Sequence, residues 1–277
     1  MDYKLISIDI DGTLLNSSRE ISPRTARAIE RAVHRGMLVS LVTGRRWLST
    51  VDYVRQLNLQ APTICFNGGV VVDSQSGRAL HSEVLPLGTT HRIIAAWNEL
   101  KMPVFVYRHS LEPPDVMLQP NNSDHPRVMD FIQQQGEQVT IVEDLLKELD
   151  WQPMRLMTCG SPQLVEACDP ELMSFYTGDI RVYHTYHAEP AFLEVLPPGA
   201  NKVNGLQWLC RFFDLSAHQL IAFGDHLNDL EMIQWAGLGV AMGNASPRVK
   251  AVADIITDDN DNDGIAMVLE KLLDMEN

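Results

Sequence analysis

Basic residues are scarce in this chain. Its 277 residues include 22 lysines and arginines against 36 aspartates and glutamates, for a formal net charge of −14. Nucleic-acid affinity depends on clustered lysine and arginine, so this balance argues against nucleic acid as a main partner. A phosphate site in so acidic a chain would need a local reversal of charge from a metal ion, a lysine or helix N-termini.

Cysteines and long apolar runs are also few. The four cysteines, Cys65, Cys159, Cys168 and Cys210, are widely separated and form no CxxC pair. We interpret them as reduced packing residues, because a chain of this length needs no disulfides. No apolar run reaches the roughly 18 residues of a membrane span, and no signal-peptide pattern is present. The sequence predicts a soluble, cytoplasmic protein without membrane contact, and it indicates no oligomeric state.

Short apolar runs alternate with helical periodicity at both ends of the chain. In the first third, strands are predicted at residues 5–10, 37–42 and 63–66, with helices at 24–34 and 47–57 between them. The Asn-Gly-Gly run at 67–69 predicts a turn into a hairpin that extends to about residue 83, and residues 203–275 repeat the alternation of strands and helices. Uninterrupted apolar runs are typical of parallel strands that are covered on both faces. The alternation therefore predicts an α/β fold with a doubly wound, mainly parallel sheet of the Rossmann-like type.

The middle of the chain has a different pattern, with many proline and glycine turn signals between residues 84 and 190. We interpret residues 84–190 as an α+β domain inserted into a core that is made of residues 1–83 and 191–277. Within the insertion, strands are predicted at 104–107, 154–159 and 181–185, and helices at 90–100, 127–135 and 163–168.

The run Asp9-Ile10-Asp11-Gly12-Thr13 directly follows the first predicted strand. Alternate residues of a strand point to the same side, so the two carboxylates can face one ligand. Open α/β sheets bind ligands at the carboxyl ends of their strands, and Gly12 allows the backbone to turn away there. Taken alone, the run is explained equally well by a solvated Asp-Gly turn.

Two further candidate sites also lie at the end of a predicted strand or the start of a predicted helix. Thr43 and Gly44 follow the second predicted strand, where a hydroxyl and free amides can bind an oxyanion. Lys202 precedes a predicted helix and offers a point charge suited to a phosphoryl oxygen. Taken alone, Thr43 is explained as a helix cap and Lys202 as a solvated side chain.

The run 224–229, Gly-Asp-His-Leu-Asn-Asp, follows a predicted strand at 220–223. Asp225 can bind a hard cation, which prefers oxygen ligands. Asn228 and Asp229, at the start of the next helix, can hold phosphate and orient the groups around a metal. His226 has no companion at zinc-ligand spacing, so a zinc site is not indicated.

Together these four features resemble the motifs of the haloacid dehalogenase (HAD) superfamily, specifically the Cof-type (subfamily IIB) phosphatases with a large C2-type cap. DxDGT matches residues 9–13, TGR matches 43–45, the family lysine matches Lys202, and GDxxND matches 224–229, all in the family's order. All four lie at a predicted strand end or helix start, so one fold can bring them together. Val203 and His226 depart from the residues that are usual in the family.

The resemblance implies a Mg²⁺-dependent phosphatase that acts on small phosphorylated metabolites, either sugar phosphates or cofactor phosphates. Asp9 would be the nucleophile that forms an aspartyl phosphate, and Asp11 would act as general acid and then as general base. Mg²⁺ would be held by the carboxylates of Asp9 and Asp225 and the backbone carbonyl of Asp11, with Asp229 supporting its surroundings. The phosphoryl oxygens would be bound by Ile10, Thr43, Gly44, Lys202 and Asn228, and the cap would select the substrate.

Other functions remain open at this point. A phosphomutase would pass the phosphoryl group from Asp9 to a sugar instead of water. A receiver-type phospho-aspartate switch needs neither Asp11 nor a large insertion, and a non-catalytic sugar-phosphate sensor needs no general acid. A glycosidase with two carboxylates would leave Thr43, Lys202 and Asp225 without a purpose.

Overall fold

The computed structural model describes residues 3–121, 129–130, 133, 139–166, 168, 179–185 and 190–274. These residues divide into two compact units, Met1–His81 with Asn201–Asn277, and Ser82–Ala200. Most of the helix predicted at 127–135, and residue 167 of the helix predicted at 163–168, lie outside the described residues. No helix in the described ranges is both long enough and apolar enough to cross a membrane.

The strands and helices are as follows. In chain order the strands are β1 Leu5–Ile8, β2 Leu38–Leu41, β3 Thr63–Cys65, β4 Val70–Val72, β5 Ala79–Ser82, β6 Val104–Tyr107, β7 Val116–Gln119, β8 Val139–Ile141, β9 Arg155–Gly160, β10 Arg181–Thr185, β11 Ala191–Leu196, β12 Leu220–Gly224, β13 Leu238–Ala241 and β14 Ile255–Ile256. The α-helices are α1 Pro23–His34, α2 Val51–Gln56, α3 Leu87–Glu99, α4 Leu145–Glu148, α5 Lys202–Phe212, α6 Leu230–Trp235, α7 Pro247–Lys250 and α8 Gly264–Asp274.

The first unit is built on a five-stranded sheet in the order β14-β13-β12-β1-β2. All of its neighbouring strands are parallel, and β1 pairs with β2 on one side and with β12 on the other. Every residue of β1 is buried, as expected for a strand that is covered on both faces. The predicted parallel α/β fold is confirmed, and the chain leaves the sheet at the carboxyl ends of β1, β2 and β12 where the motifs follow.

The strand predicted at residues 63–66 lies outside this parallel sheet. It is β3, which pairs antiparallel with β4 in a three-stranded sheet of order β3-β4-β5. A single bridge between Val42 and Ile64 joins it to the chain segment after β2. The turn at Asn67 and Gly68 connects β3 to β4, so the predicted hairpin is present while its place in the main sheet is corrected.

The helix predicted at 47–57 is interrupted. It consists of a 3₁₀ helix, Trp47–Ser49, followed by α2. The hydroxyl of Thr50 donates to the Arg46 carbonyl at 2.9 Å at this break. A hydroxyl that bonds back to a carbonyl four residues earlier is a local alternative to regular helix geometry. Ser49 and Tyr53, on either side of this break, both contact Arg45.

The second unit contains a six-stranded, mostly antiparallel sheet in the order β10-β11-β9-β6-β7-β8. Its apolar core includes Trp97 of α3 and Val106, Leu156 and Leu193 of the sheet. Strand β11 pairs with β9 and β10, so residues 191–200 fall in this unit, whereas the sequence placed residue 191 at the start of the returning core. The roles of catalytic core and specificity cap for the two units stay predictions.

Helix α5 begins against the turn that follows β3. Gly68 has a φ of 97°, and a Cβ atom there would lie 2.0 Å from the backbone oxygen of Asn201, the residue that caps α5. The side chain of Asn201 accepts a hydrogen bond from the Val203 amide at 2.8 Å. The absence of a side chain at position 68 therefore allows the close approach that places Lys202, the first residue of α5.

We expect Gly68→Ala to lower the free energy of unfolding on the order of 3 kcal/mol, from left-handed backbone strain together with displacement of α5. Gly36→Ala is the matched control, because Gly36 also has a positive φ of 83° but open space around it. The control should lose about 1–2 kcal/mol from strain alone. Urea denaturation followed by tryptophan fluorescence measures both, and equal losses would contradict the close packing at Gly68.

Candidate active site

A buried lysine lies between two buried aspartates where β1 and β12 end. Lys202 Nζ donates to Asp9 Oδ1 at 2.5 Å and to Asp229 Oδ1 at 2.6 Å. The exposed fractions are 1% for Lys202, 5% for Asp9 and 0% for Asp229. Ionised side chains are buried at high cost unless they are paired, and here one cation faces two carboxylates. The trio has one negative charge in excess when both aspartates are ionised.

This charge balance shifts the proton affinities of the trio. Burial, followed by the charge of Asp229, raises the pKa of Asp9 well above its usual range, although Lys202 acts in the opposite direction. Burial disfavours the ammonium form of Lys202, but Asp229 and Asp9 outweigh it and raise the pKa of Lys202. The lysine therefore stays charged at neutral pH. Its single positive charge does not fully offset the burial of Asp9 and the repulsion from Asp229, so the ionised form of Asp9 is disfavoured.

Asp225 adds a third carboxylate to this site. Asp9, Asp225 and Asp229 each offer an oxygen atom within 4.8 Å of the others. Burial, with a contribution from Asp229, raises the pKa of Asp225 to about 6, although the Thr13 hydroxyl donates to its Oδ1 at 2.9 Å. Hard divalent cations bind clustered carboxylate oxygens, so this donor set fits such an ion and would be stabilised by it.

Both carboxylate oxygens of Asp229 accept hydrogen bonds from the protein. Its Oδ2 accepts hydrogen bonds from the backbone amides of Asp225 and His226 at 3.0 and 2.9 Å, and its Oδ1 accepts from Lys202. These contacts tie the start of the 3₁₀ helix Leu227–Asp229 to the end of β12. The carboxylate thus holds both the lysine and the backbone around Asp225 in place.

Asp11 lies apart from this acidic cluster. Strand β1 ends at Ile8, and Gly12 turns the chain with a φ of 77°, so the strand geometry predicted for Asp9 and Asp11 does not continue through both residues. The side chain of Asp11 is 60% exposed and pairs with Arg45. The extended geometry from which a shared ligand was predicted is thus absent beyond Ile8, while the catalytic role of the Asp11 side chain and the metal role of its backbone carbonyl stay predictions.

Three of the predicted phosphate-binding residues, Thr43, Gly44 and Asn228, lie around Asn67. The amide of Asn67 donates to the Thr43 carbonyl at 2.9 Å, and its side-chain oxygen accepts from Asn228 Nδ2 at 2.9 Å. Gly44 lies beside the same side chain, and Ile10 is buried next to Asp9. The structure thus links the Thr43 turn to Asn228, while the binding of phosphate by these residues stays a prediction.

Three residues that contact these groups have no predicted site role. They are Asn67, Arg45 and Asn244, whose Nδ2 donates to the Gly12 carbonyl at 2.8 Å. Each had a local signal. Asn67 starts an Asn-Gly turn and has a φ of 53°, Arg45 completes the TGR run, and Asn244 lies in a turn after β13. The contacts themselves depend on tertiary structure, since residues from distant parts of the chain make them.

Comparison with known proteins shows similarity along nearly the whole chain. Residues 6–269 match the family described as haloacid dehalogenase-like hydrolase. The chain is 31% identical to 5-amino-6-(5-phospho-D-ribitylamino)uracil phosphatase YitU of Bacillus subtilis (strain 168), with 96% of both chains covered. It is 30% identical to HMP-PP phosphatase of Serratia proteamaculans (strain 568), with 90% of this chain and 87% of that protein covered.

Among solved structures, a haloacid dehalogenase-like hydrolase from Bacteroides thetaiotaomicron superimposes with a TM-score of 0.85. It is 30% identical to this chain, and the alignment covers 98% of this chain and 99% of that one. The likeness extends through both units of the chain, since neither unit alone contains that share of the residues.

The raised pKa of Asp225 predicts how its replacement changes stability with pH. A carboxyl whose pKa rises on folding stabilises the protein below its unfolded pKa, and this contribution is lost as pH rises through the folded value. In metal-free protein, the free energy of unfolding of Asp225→Asn should equal that of wild type below about pH 4. Between pH 4 and 6 the variant should become progressively more stable than wild type, and above pH 6 the difference should stay constant at about 3 kcal/mol.

Denaturation in the presence of EDTA across this pH range measures the effect. Asp73→Asn is the control of opposite sign, because hydrogen bonds from Ser76 lower the pKa of Asp73 and the ionised form is the stabilising one. An Asp225→Asn protein no more stable than wild type at pH 7.5 would contradict the burial of an ionised Asp225.

Proposed function

The chain belongs to the haloacid dehalogenase-like hydrolases, and from that premise we propose that it is a Mg²⁺-dependent phosphatase that works through an aspartyl phosphate on Asp9. Its class is that of the phosphoric monoester hydrolases of this family. One observation in particular supports the proposal that Asp9 is the nucleophile beside a metal ion. The charged Lys202 lies buried between Asp9 and Asp229, beside the carboxylate of Asp225, at the carboxyl ends of adjacent parallel strands.

Asp9 has the surroundings of a nucleophile. Lys202 holds its Oδ1, which leaves Oδ2 to attack phosphorus in line, and burial reduces the solvation that would weaken the attack. As the bond between Asp9 and phosphorus forms, the bond from phosphorus to the leaving oxygen breaks, and Asp11 donates a proton to that oxygen. Asp11 then accepts a proton from water, which attacks phosphorus and releases phosphate with Asp9 restored.

The acidic cluster suits Mg²⁺ by its chemistry, since carboxylate oxygens are ligands that this cation prefers. Asp9 and Asp225 would hold it together with the Asp11 backbone carbonyl, while Asp229, whose oxygens already accept three hydrogen bonds, would position these groups. When bound, the ion supplies positive charge that offsets the carboxylates and the negative charge of the transferring phosphoryl group.

The remaining residues would bind the phosphoryl oxygens. The Thr43 hydroxyl, the Gly44 and Ile10 amides, and the Asn228 side chain offer neutral donors, and Lys202 offers a charged one. The contacts of Asn67 with Thr43 and Asn228 support this grouping, because they join two donors from different strands. Lys202 and the metal would also reverse the sign of the field that an acidic chain presents to a phosphate.

We propose small phosphate monoesters as substrates, either sugar phosphates or cofactor phosphates, with residues 84–190 selecting the leaving group. The names of two relatives guide the choice of a test panel. These are the phosphatase of 5-amino-6-(5-phospho-D-ribitylamino)uracil and the HMP-PP phosphatase. The panel would contain both compounds together with sugar phosphates, pyridoxal phosphate and flavin mononucleotide.

The test is phosphate release from 4-nitrophenyl phosphate and this panel, with Mg²⁺ and with EDTA. Release should require the metal and fall in Asp9→Asn by a factor on the order of 10³ or more, because the nucleophile is lost while the shape is kept. Asp52→Asn is the matched control. Asp52 is 88% exposed in a surface pair with Arg55, so its replacement should leave the rate unchanged.

The product identifies the reaction. Free phosphate formed in step with the dephosphorylated metabolite supports the phosphatase, whereas transfer to a second sugar position would favour the phosphomutase. If folded, Mg²⁺-loaded wild type releases phosphate from none of the esters, the proposed function is wrong.

A further inference from the structure

The guanidinium of Arg45 holds the exposed carboxylate of Asp11 in a two-pronged ion pair. Arg45 Nε donates to Asp11 Oδ2 at 2.7 Å, and Nη2 donates to Oδ1 at 2.5 Å. Paired donors of this kind fix the plane and direction of a carboxylate as well as its distance. An aspartate side chain that is 60% exposed would otherwise sample several rotamers.

Arg45 is itself held from three directions. Its guanidinium carbon lies 5.4 Å from the ring centre of Tyr53, and Nη1 lies 3.4 Å from both the Tyr53 hydroxyl and the Ser49 carbonyl. Its backbone amide donates to Thr43 Oγ1 at 3.1 Å. Hydrogen bonding to Asp11 raises the pKa of Arg45, so the guanidinium remains charged throughout the neutral range.

We propose that Arg45 is a positioning residue of the phosphatase reaction, which fixes the Asp11 carboxylate relative to the phosphoryl site. This inference rests on the proposed function, in which the ionised Asp11 carboxylate, the form that Arg45 pairs with, takes a proton from the attacking water and gives that proton to the leaving oxygen of the next ester. The three residues Thr43 to Arg45 place a phosphoryl-binding hydroxyl at one end and the holder of Asp11 at the other. One short turn therefore sets the distance between the bound phosphoryl group and the proton-transferring carboxylate.

An ordinary exposed ion pair is the alternative explanation. Such a pair adds little to stability, and its loss would not depend on which ester is being cleaved. A positioning role has a different consequence, because protonation of the leaving oxygen matters greatly for an alkyl phosphate and little for 4-nitrophenyl phosphate, whose phenolate leaves readily. The value of kcat/KM reports the steps up to the breaking of that bond, so the difference appears there.

The experiment compares kcat/KM for an alkyl phosphate from the substrate panel with kcat/KM for 4-nitrophenyl phosphate, using Mg²⁺-loaded full-length protein. Arg45→Met should lower the alkyl value roughly 10-fold to 100-fold, as expected for a lost charge-assisted hydrogen bond, and the 4-nitrophenyl value much less. Arg45→Lys should stay impaired, because an ammonium keeps the charge without the planar fork. Arg55→Met, at an exposed pair, is the unaffected control.

A double variant tests whether the two residues act as one unit. Once Asp11→Asn has removed the carboxylate, adding Arg45→Met should cause no further loss with the alkyl ester. Equal losses for both esters in Arg45→Met, full rescue by Arg45→Lys, or additive losses in the double variant would each overturn the inference. If one of these results is found while the wild type cleaves the esters, the inference on Arg45 is wrong but the proposed function stands. If the wild type cleaves neither ester, both the proposed function and the inference are wrong.

Discussion

The buried ion pairs of Lys202 with Asp9 and Asp229 are the constraint on which the rest of the first unit depends. A charged lysine that is 1% exposed is tolerated only if both partners reach it, so β1 and β12 must lie side by side and α5 must begin between them. The close approach at Gly68 permits that start, and the amides after β12 hold Asp229 in place. The strand order, the turn at Gly68 and the start of α5 together bring Asp9, Lys202 and Asp229 into contact.

The same arrangement explains why an acidic chain can process a phosphate. The site contains more negative than positive charge. Burial therefore raises the pKa of Asp9 and of Asp225, because the folded protein disfavours their ionised forms. Carboxylates held this way weaken the metal-free protein and favour binding of a cation that relieves their repulsion. A site that loses stability in this way would gain it back on binding a cation, and a bound metal together with Lys202 would supply the positive charge that the surface lacks.

The features predicted best from sequence were those fixed by neighbouring residues. The apolar run of β1 and the turn residues after it place Asp9 at a strand end, and the same holds for Asp225 after β12. The partner of Asp11 was not predictable in this way, since its contact with Arg45 joins residues 34 positions apart. Strand β3 has the apolar pattern of a core strand, but its hairpin with β4 takes it into another sheet.

The central claim is that Asp9 carries the phosphoryl group during turnover, and rapid acid quenching tests it most directly. Trypsin would release residues 5–19 as one peptide, which contains both Asp9 and Asp11. In a quenched sample that is not reduced, this peptide should gain the mass of one phosphoryl group. In a parallel sample, borohydride should displace the phosphate and convert the aspartyl phosphate to homoserine, which fragmentation should locate at position 9, and Asp9→Asn should abolish both changes. A phosphoryl group on Asp11 or on another peptide, or none at all in quenched enzyme that is turning over, would contradict the account.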